Sequence, residues 1–410
     1  MTETIRIGFI GLIDCAIPVV AQEKGFAEKH GLSLELIREA SWAAIRDKLA
    51  YGVFDAAHIL AGIPLASTLG LSGGPPVPMI APMALGYGGN AITVSLDLFR
   101  KMCEVDATAM EGKRSQAAQV FAKLVAKRRA ADQPPLSLAT VFPFSSHNYE
   151  LRYWLASAGL DPDEDVRIGV VAPPRMSEHL RAGWIDGYCV GEPWNLRAVQ
   201  RDHGVIITTK SDIWPAAPEK VLGMRADWAE ENADTVAKLV RAFVEAAQWA
   251  DDMANRAELA AILADETYLG APVNLLRAAL MGHPVMRPDA PPSHEPDRHV
   301  FYRWQATFPW VSHGIWLLTQ MRRWNQIKSD IDYGDLAGKV YRPDLYRTAV
   351  SSIGVPVPRD DGFIAGEHDD PYSIPAANGG SVELGPDRFM DGRVFDPSAP
   401  QAYLDSFKIK

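Results

Sequence analysis

The chain has 410 residues, 47% of them hydrophobic, which is too long for one compact core and calls for two lobes. Its 22% charged content and 11 tryptophans exclude general disorder. A formal charge of −10 opposes broad attraction to nucleic-acid phosphate or anionic lipid, so any anion the chain holds must be captured by local geometry.

The first elements read as a βαβ unit: a strand over Ile5–Ile10, a helix over Ala16–His30 stopped by Gly31, and a strand over Leu32–Ile37. That opening predicts an α/β fold with parallel strands. A helix over Trp42–Tyr51 and a buried strand over Ala56–Leu60 follow, then a turn-rich stretch from Gly70 to Pro78. Ala91–Val94 is a short apolar run. The alanine-rich, charged stretch Ala107–Ala131 predicts a solvent-facing helix. Leu136–Phe142 reads as a strand leading into a helix over His147–Gly159, with Ser145 and Ser146 as candidate caps. Further elements are a strand over Val166–Val171, a helix over Arg175–Gly183 and a buried strand over Gly187–Val190.

From Asn195 the chain is expected to return to the first lobe, with a strand at Val205–Thr208 and helices near Asp234–Ala250 and Arg256–Asp265. Residues 282–309, rich in proline, read as a loop or rim, and a helix is expected near Gly314–Ile327. After Tyr341 the composition shifts to Pro, Gly and Asp, as for a tail laid over the surface or a partner-binding arm. The expected division is residues 1–93 and 196–340 for lobe I, 94–195 for lobe II, and 341–410 for a C-terminal extension packed on lobe I or binding a partner.

Open α/β sheets place their ligands at the carboxyl ends of strands, where helix N-termini offer free amides. Several residues fall there. His147 is expected in the first turn of its helix, where the dipole favours an anion. Its bland alternative is a core or surface histidine. Lys220, in Pro218-Glu219-Lys220, is the candidate cation, against the ordinary reading of a solvated lysine. Trp42 follows a strand and offers a ring and an N–H, with core packing as its alternative. Asn90 ends a glycine run, Gly86 to Gly89, and offers neutral amide donors, or marks only a hinge. Gly191 exposes a backbone amide after Val190, Pro173 with Pro174 shapes a wall, and Glu192 orients a site residue rather than meeting an anion itself.

Enzyme and metal motifs are weak. Gly70-Leu71-Ser72-Gly73-Gly74 fits a nucleophile elbow literally, but Pro75-Pro76 forbids the helix that should follow. His294 to His299 has the wrong spacing and an interrupting proline for a helical zinc site, so no metal is expected. No phosphate-cradling loop is present, and no cofactor is expected. Cys15, Cys103 and Cys189 form no paired motif, as in a reducing compartment. The N-terminus passes straight into a strand pattern without a basic, then apolar, leader, so a cytoplasmic location without membrane contact is expected.

At Ser146-His147-Asn148, Leu151 to Leu155, Cys189 to Asn195 and Pro218-Glu219-Lys220, the chain resembles the nitrate- and bicarbonate-binding proteins of ABC importers. The similarity extends to Glu39 to Trp42, Ala57 to Leu60, and Phe395-Asp396-Pro397 with Tyr403 to Ser406. It implies a two-lobed fold like that of type II periplasmic binding proteins, with the anion in the interlobe cleft. It also implies nitrate contacts at Trp42, Asn90, His147, Pro173, Val190, Gly191 and Lys220, supported by Ser146 and Glu192. Asn90 stands where importer members carry glutamine.

With no leader visible, the resemblance points to the cytoplasmic nitrate/nitrite sensor branch, which sequesters an RNA-binding antitermination regulator with an ANTAR domain and releases it when the anion arrives. The chain itself is then not expected to touch nucleic acid. The alternative is the substrate-binding component of a nitrate or bicarbonate ABC importer. A third reading comes from relatives of the fold that use pyridoxal phosphate; it would rest on Lys48 or Lys220, and the missing phosphate loop argues against it.

Overall fold

The computed structural model describes residues 3–71, 73–111 and 114–410. Ser72 of the elbow-like motif lies outside the described residues, as do positions 112–113 of the expected helix over 107–131.

The first lobe begins with β1 (Glu3–Ile10), β2 (Leu32–Glu39), β3 (Ala56–Leu60) and β4 (Met79–Ala84). Strand β1 pairs in parallel with both β2 and β3, as the βαβ pattern predicts. The chain then crosses over through the two-residue strand β5 (Tyr87–Gly88) and builds a second sheet from β6 (Asn90–Ser95), β7 (Leu136–Thr140), β8 (Val166–Val170), β9 (Gly187–Gly191) and β10 (Gly204–Thr209). Its order is β10-β6-β9-β7-β8. Only at β11 (Lys220–Arg225) does the chain rejoin the first sheet, antiparallel between β3 and β4, giving β2-β1-β3-β11-β4.

The return expected at Asn195 therefore comes later. The strand anticipated at Val205–Thr208 lies antiparallel to β6, with Val205 opposite Val94, and belongs to the second sheet. An apolar run shows that a strand is buried but not which sheet buries it.

The helix expected over 107–131 is two helices, Leu96–Glu111 and Ala117–Ala130. Extended backbone at Asp106 interrupts the first, and the Asp106 carboxylate then accepts from the Ala109 amide at 3.0 Å. The second is not solvent-facing all round, since Val120, Phe121 and Leu124 are buried.

The crossover run needs its glycines. Gly88 has φ +87°, and a Cβ there would stand 2.1 Å from the Arg298 carbonyl on the neighbouring rim segment. That rim supplies β12 (His299–Val300), paired with β5. After the helix Val311–Arg323, residues 341–410 form a helix (Pro343–Val350), a hairpin of β13 (Tyr372–Pro375) and β14 (Ser381–Leu384), and a helix (Pro400–Asp405). Phe389, Phe395 and Tyr403 are buried, so this segment is anchored by scattered aromatics rather than by a periodic face. No helix among the described residues is long and apolar enough to cross a membrane.

The lobes are closed on one another. The Ile13 amide of the first donates to the Glu192 carbonyl of the second at 2.9 Å. A Cβ on Gly62 would lie 2.4 Å from the Phe144 carbonyl. One apolar cluster runs from Leu12, Trp42 and Leu60 to Leu138, Trp154 and Val190.

Candidate anion site between the lobes

Each lobe presents strand ends and helix starts to the interface. From the first, Asp14 sits in the short 3-10 turn Ile13–Cys15 after β1, and His58 is the single polar residue of the wholly buried strand β3. Trp42 opens the helix Trp42–Ala50, capped by Ser41, whose Oγ accepts from the Ala44 amide. Lys220 opens β11 opposite Leu60. From the second lobe, Asn90 opens β6 opposite Gly191, the last residue of β9. His147 and Glu150 ride on the first turns of the helix Ser146–Ser157, whose cap is Ser145; its Oγ accepts from the Asn148 amide at 3.0 Å.

These side chains form a buried chain of alternating charge. Asp14 meets His58 at 2.9 Å and Lys220 at 2.7 Å. Lys220 also pairs with Glu219, Glu219 with Lys210 at 2.5 Å, and Lys210 with Glu150 at 2.8 Å. The Asn90 amide nitrogen donates to Glu150 at 3.0 Å and to Glu219. Apart from Asp14, which is 8% exposed, every member is at most 3% exposed. Ion pairs removed this far from water repay their desolvation poorly, so such a cluster is better explained by a binding task than by stability.

Burial alone would raise the Asp14 and Glu219 carboxyls, but the adjacent lysines outweigh it and hold both below the usual carboxylate range. At Glu150 burial wins over Lys210, and the carboxyl is raised. Burial also pushes His147 down to about 3, leaving a neutral imidazole with one donor and one acceptor nitrogen. Burial raises the thiols of Cys15 and Cys189 as well, which keeps them protonated and poor nucleophiles.

Of the residues singled out in the sequence, the structure brings Trp42, Asn90, His147, Gly191 and Lys220 together. A Cβ placed on Gly191 would lie 3.4 Å from Asn90 Oδ1, 3.4 Å from Leu12 and 3.7 Å from His147 Nε2, so these groups surround one small space. Lys220 Nζ stands 5.4 Å from the Trp42 ring centroid. Both ring nitrogens of His147, Trp42 Nε1 and Asn90 Oδ1 are buried without hydrogen-bond partners among the described residues. His147 Nε2 is 3.6 Å from Glu219. Ser146 supports the same spot from outside, its hydroxyl 3.4 Å from the Glu219 carbonyl.

Five expected roles come out differently. Asn90 was expected to supply donors, yet both carboxylates claim its NH2 and an acceptor oxygen is left over. Glu192 orients no residue of this cluster; it pairs with Arg298 and accepts from the Leu196 amide at 3.1 Å, fixing the rim and the helix after β9. The Val190 carbonyl is taken by Asn195 Nδ2 at 2.8 Å. Pro173 is buried at the start of the turn after β8, and its carbonyl accepts from the Met176 amide. Lys48, a candidate for the cofactor reading, is half exposed and paired with Glu39.

Sequence reasoning gave no role to Asp14, His58, Glu150, Lys210 or Glu219. A lone histidine inside the apolar strand Ala56–Leu60 was a usable signal, and so was the glutamate beside Lys220. Asp14, Glu150 and Lys210 carry no local mark.

Comparison with known proteins agrees with this architecture. A model of the NMT1-like family matches residues 1–264. The nitrate import ATP-binding protein NrtC of Synechocystis is 38% identical over 99% of the chain, which spans 55% of that protein's length. The nitrate/nitrite binding protein NrtA of Synechococcus elongatus is 34% identical over 99% of the chain and 86% of its own length. The crystal structure of the periplasmic nitrate-binding protein NrtA from Synechocystis superposes with a TM-score of 0.85 at 30% identity, covering 100% of this chain and 99% of that one.

Proposed function

The chain belongs to the NMT1-like family, and we propose that it is the substrate-binding component of an ABC importer that takes up nitrate or nitrite. The observation that carries this reading is the buried interlobe cluster in which Gly191 abuts His147 Nε2 and Asn90 Oδ1, His147 lies 3.6 Å from Glu219, and Lys220 stands by the Trp42 ring. Nitrate is planar, singly charged and weakly basic, so neutral donors and one ammonium group suit it without proton transfer chemistry. Nothing in the reading requires a cofactor or a catalytic step.

One relative is named a nitrate import protein and the superposed structure is that of a periplasmic nitrate-binding protein, which favours the importer over the cytoplasmic sensor expected from the sequence. The reading therefore contains no ANTAR-domain regulator. It places the protein on the side of the membrane from which the anion is taken, with the importer's membrane subunits as partners.

One observation favours a second ligand. Asn90 Oδ1 is a buried acceptor without a donor among the described residues, and bicarbonate, unlike nitrate, carries an O–H.

Isothermal titration with nitrate, nitrite, bicarbonate and sulfate decides the matter. Saturable heat with nitrate or nitrite, weakened at least about 100-fold in Lys220→Ala and His147→Ala, is expected, each of these removing a hydrogen bond to a charged ligand or the charge itself. Binding of bicarbonate alone would move the assignment to that anion. Silence with all four would overturn it.

A further inference from the structure

We propose that uptake of the anion is coupled to uptake of one proton, and that the proton is held by Glu150. The inference deepens the oxyanion reading and rests on it. Its basis is a charge inventory: Asp14, Glu219 and Glu150 are three carboxylates, Lys220 and Lys210 are two ammonium groups, and the His58 imidazole lies 2.9 Å from Asp14, all of them buried. The carboxylates outnumber the ammonium groups by one before any ligand arrives, and the surplus lies at the Glu150 end, away from the His58 imidazole that meets Asp14. His147 is neutral and adds nothing. A further negative charge placed in the same dry space carries a large desolvation and repulsion cost unless a proton accompanies it.

The contacts single out which carboxylate takes that proton. Asp14 has Lys220 and His58 beside it. Glu219 touches both lysines and Asn90. Glu150, at the open end of the chain, has one cation, Lys210, which it shares with Glu219, and one neutral donor, Asn90.

The groups facing Glu150 from other elements are Lys210 after β10, Glu219 before β11, Asn90 on β6 and Cys189 on β9; His147 lies one turn back on its own helix, and Asp14 and Lys220 stand farther off across the interface. The Cys189 thiol is held neutral by burial, so it neither repels nor competes. Burial has already raised the Glu150 carboxyl, whereas the lysines hold Asp14 and Glu219 low. The step balances: a proton leaves the solvent, an O–H bond forms on Glu150, and the anion's charge replaces the one removed. Lys210 keeps Glu219 and the Pro218 carbonyl, 2.9 Å away.

A carboxyl whose pKa rises on binding takes up a proton, so affinity falls as pH rises between its ligand-free and ligand-bound values. Nitrate is the probe, because it does not itself titrate in the range. Calorimetry from about pH 6 to about pH 9, in buffers of different ionisation enthalpy, counts protons taken up per nitrate bound. The expected result is a count that rises toward about one, with affinity falling by up to about tenfold per pH unit, and a flat profile in Glu150→Gln.

A wild-type affinity and proton count flat across that range would overturn the coupling while leaving the oxyanion reading standing. The same slope retained in Glu150→Gln would place the proton elsewhere and overturn the assignment. Should the variant fail to fold, the wild-type proton count alone still decides whether coupling exists. No heat with nitrate at any pH, with bicarbonate also silent, would overturn the oxyanion reading and the coupling together.

Discussion

Trp42 and Lys220 both face the site, but substitution reads them differently. Lys220 neutralises Asp14 and Glu219 as well as any ligand, so removing it leaves Asp14 to His58 and Glu219 to Lys210; a broken buried pair costs about 3–5 kcal/mol of stability. Lost anion binding in Lys220→Ala therefore has to be read beside a thermal melt. Trp42 is the cleaner probe. Its ring packs with His58 at 5.7 Å and under Lys220, yet its Nε1 has no partner among the described residues to lose. Trp42→Phe keeps an aromatic ring but removes the second ring of the indole together with the donor. We expect a stability loss of about 1–3 kcal/mol, as for a large-to-small change that leaves a small cavity. Nitrate affinity should drop by about 1.5–3 kcal/mol, the usual worth of a hydrogen bond to a charged group. Calorimetry and denaturant midpoints on one preparation check both numbers, and an unchanged affinity would remove Trp42 from the site.

The element that frames the site most directly is the helix Ser146–Ser157. Its cap, Ser145, accepts from the Asn148 amide and donates to the Phe142 carbonyl at 2.6 Å, which fixes the angle at which His147 and Glu150 enter the interface. Ser145→Ala should cost about 1–2 kcal/mol in denaturant unfolding and weaken nitrate binding although Ser145 touches no ligand. Unchanged binding in a variant destabilised by that amount would show that the helix start does not set the geometry. This element was legible in advance: the strand-to-helix turn, the serine pair and His147 in the first turn all follow from local rules. So were the opening βαβ unit and the position of Lys220 as a cation at a turn. What stayed hidden are the pairings between elements that carry no local signal. Strand β10 looked the same whichever sheet received it. The role of Asn90 was misread because its amide polarity is set by Glu150 and Glu219, 60 and 129 residues away along the chain. Long-range partners of this kind are a property of the fold, and periodicity does not encode them.

At the scale of the whole molecule, the C-terminal segment ties together parts that would otherwise move independently. Two stretches carry the chain between the sheets, one through Gly86–Gly89 and one from β10 to β11 past Trp214. Phe389 stacks on Trp214 with ring centroids 4.4 Å apart, and the next amide, Met390, donates to the Ile213 carbonyl at 2.9 Å. Asp391 then accepts from the Tyr153 hydroxyl on the second-lobe helix at 2.8 Å. Tyr403 meanwhile accepts from Trp316 Nε1 at 3.2 Å on the helix Val311–Arg323, which packs against the first-lobe helix Gly62–Thr68. One strand of chain thus grips a crossover and both lobes. Phe389→Ala removes the ring at the centre of this grip, and a buried Phe-to-Ala change costs about 3–5 kcal/mol. Because the loss falls where the lobes are joined, it should also reduce cooperativity. We expect the wild type to unfold in one transition, whether followed by tryptophan fluorescence or by far-ultraviolet circular dichroism, and Phe389→Ala to separate the two probes. Coincident transitions in the variant, lowered by that same amount, would mean that the segment stabilises the lobes without coupling them.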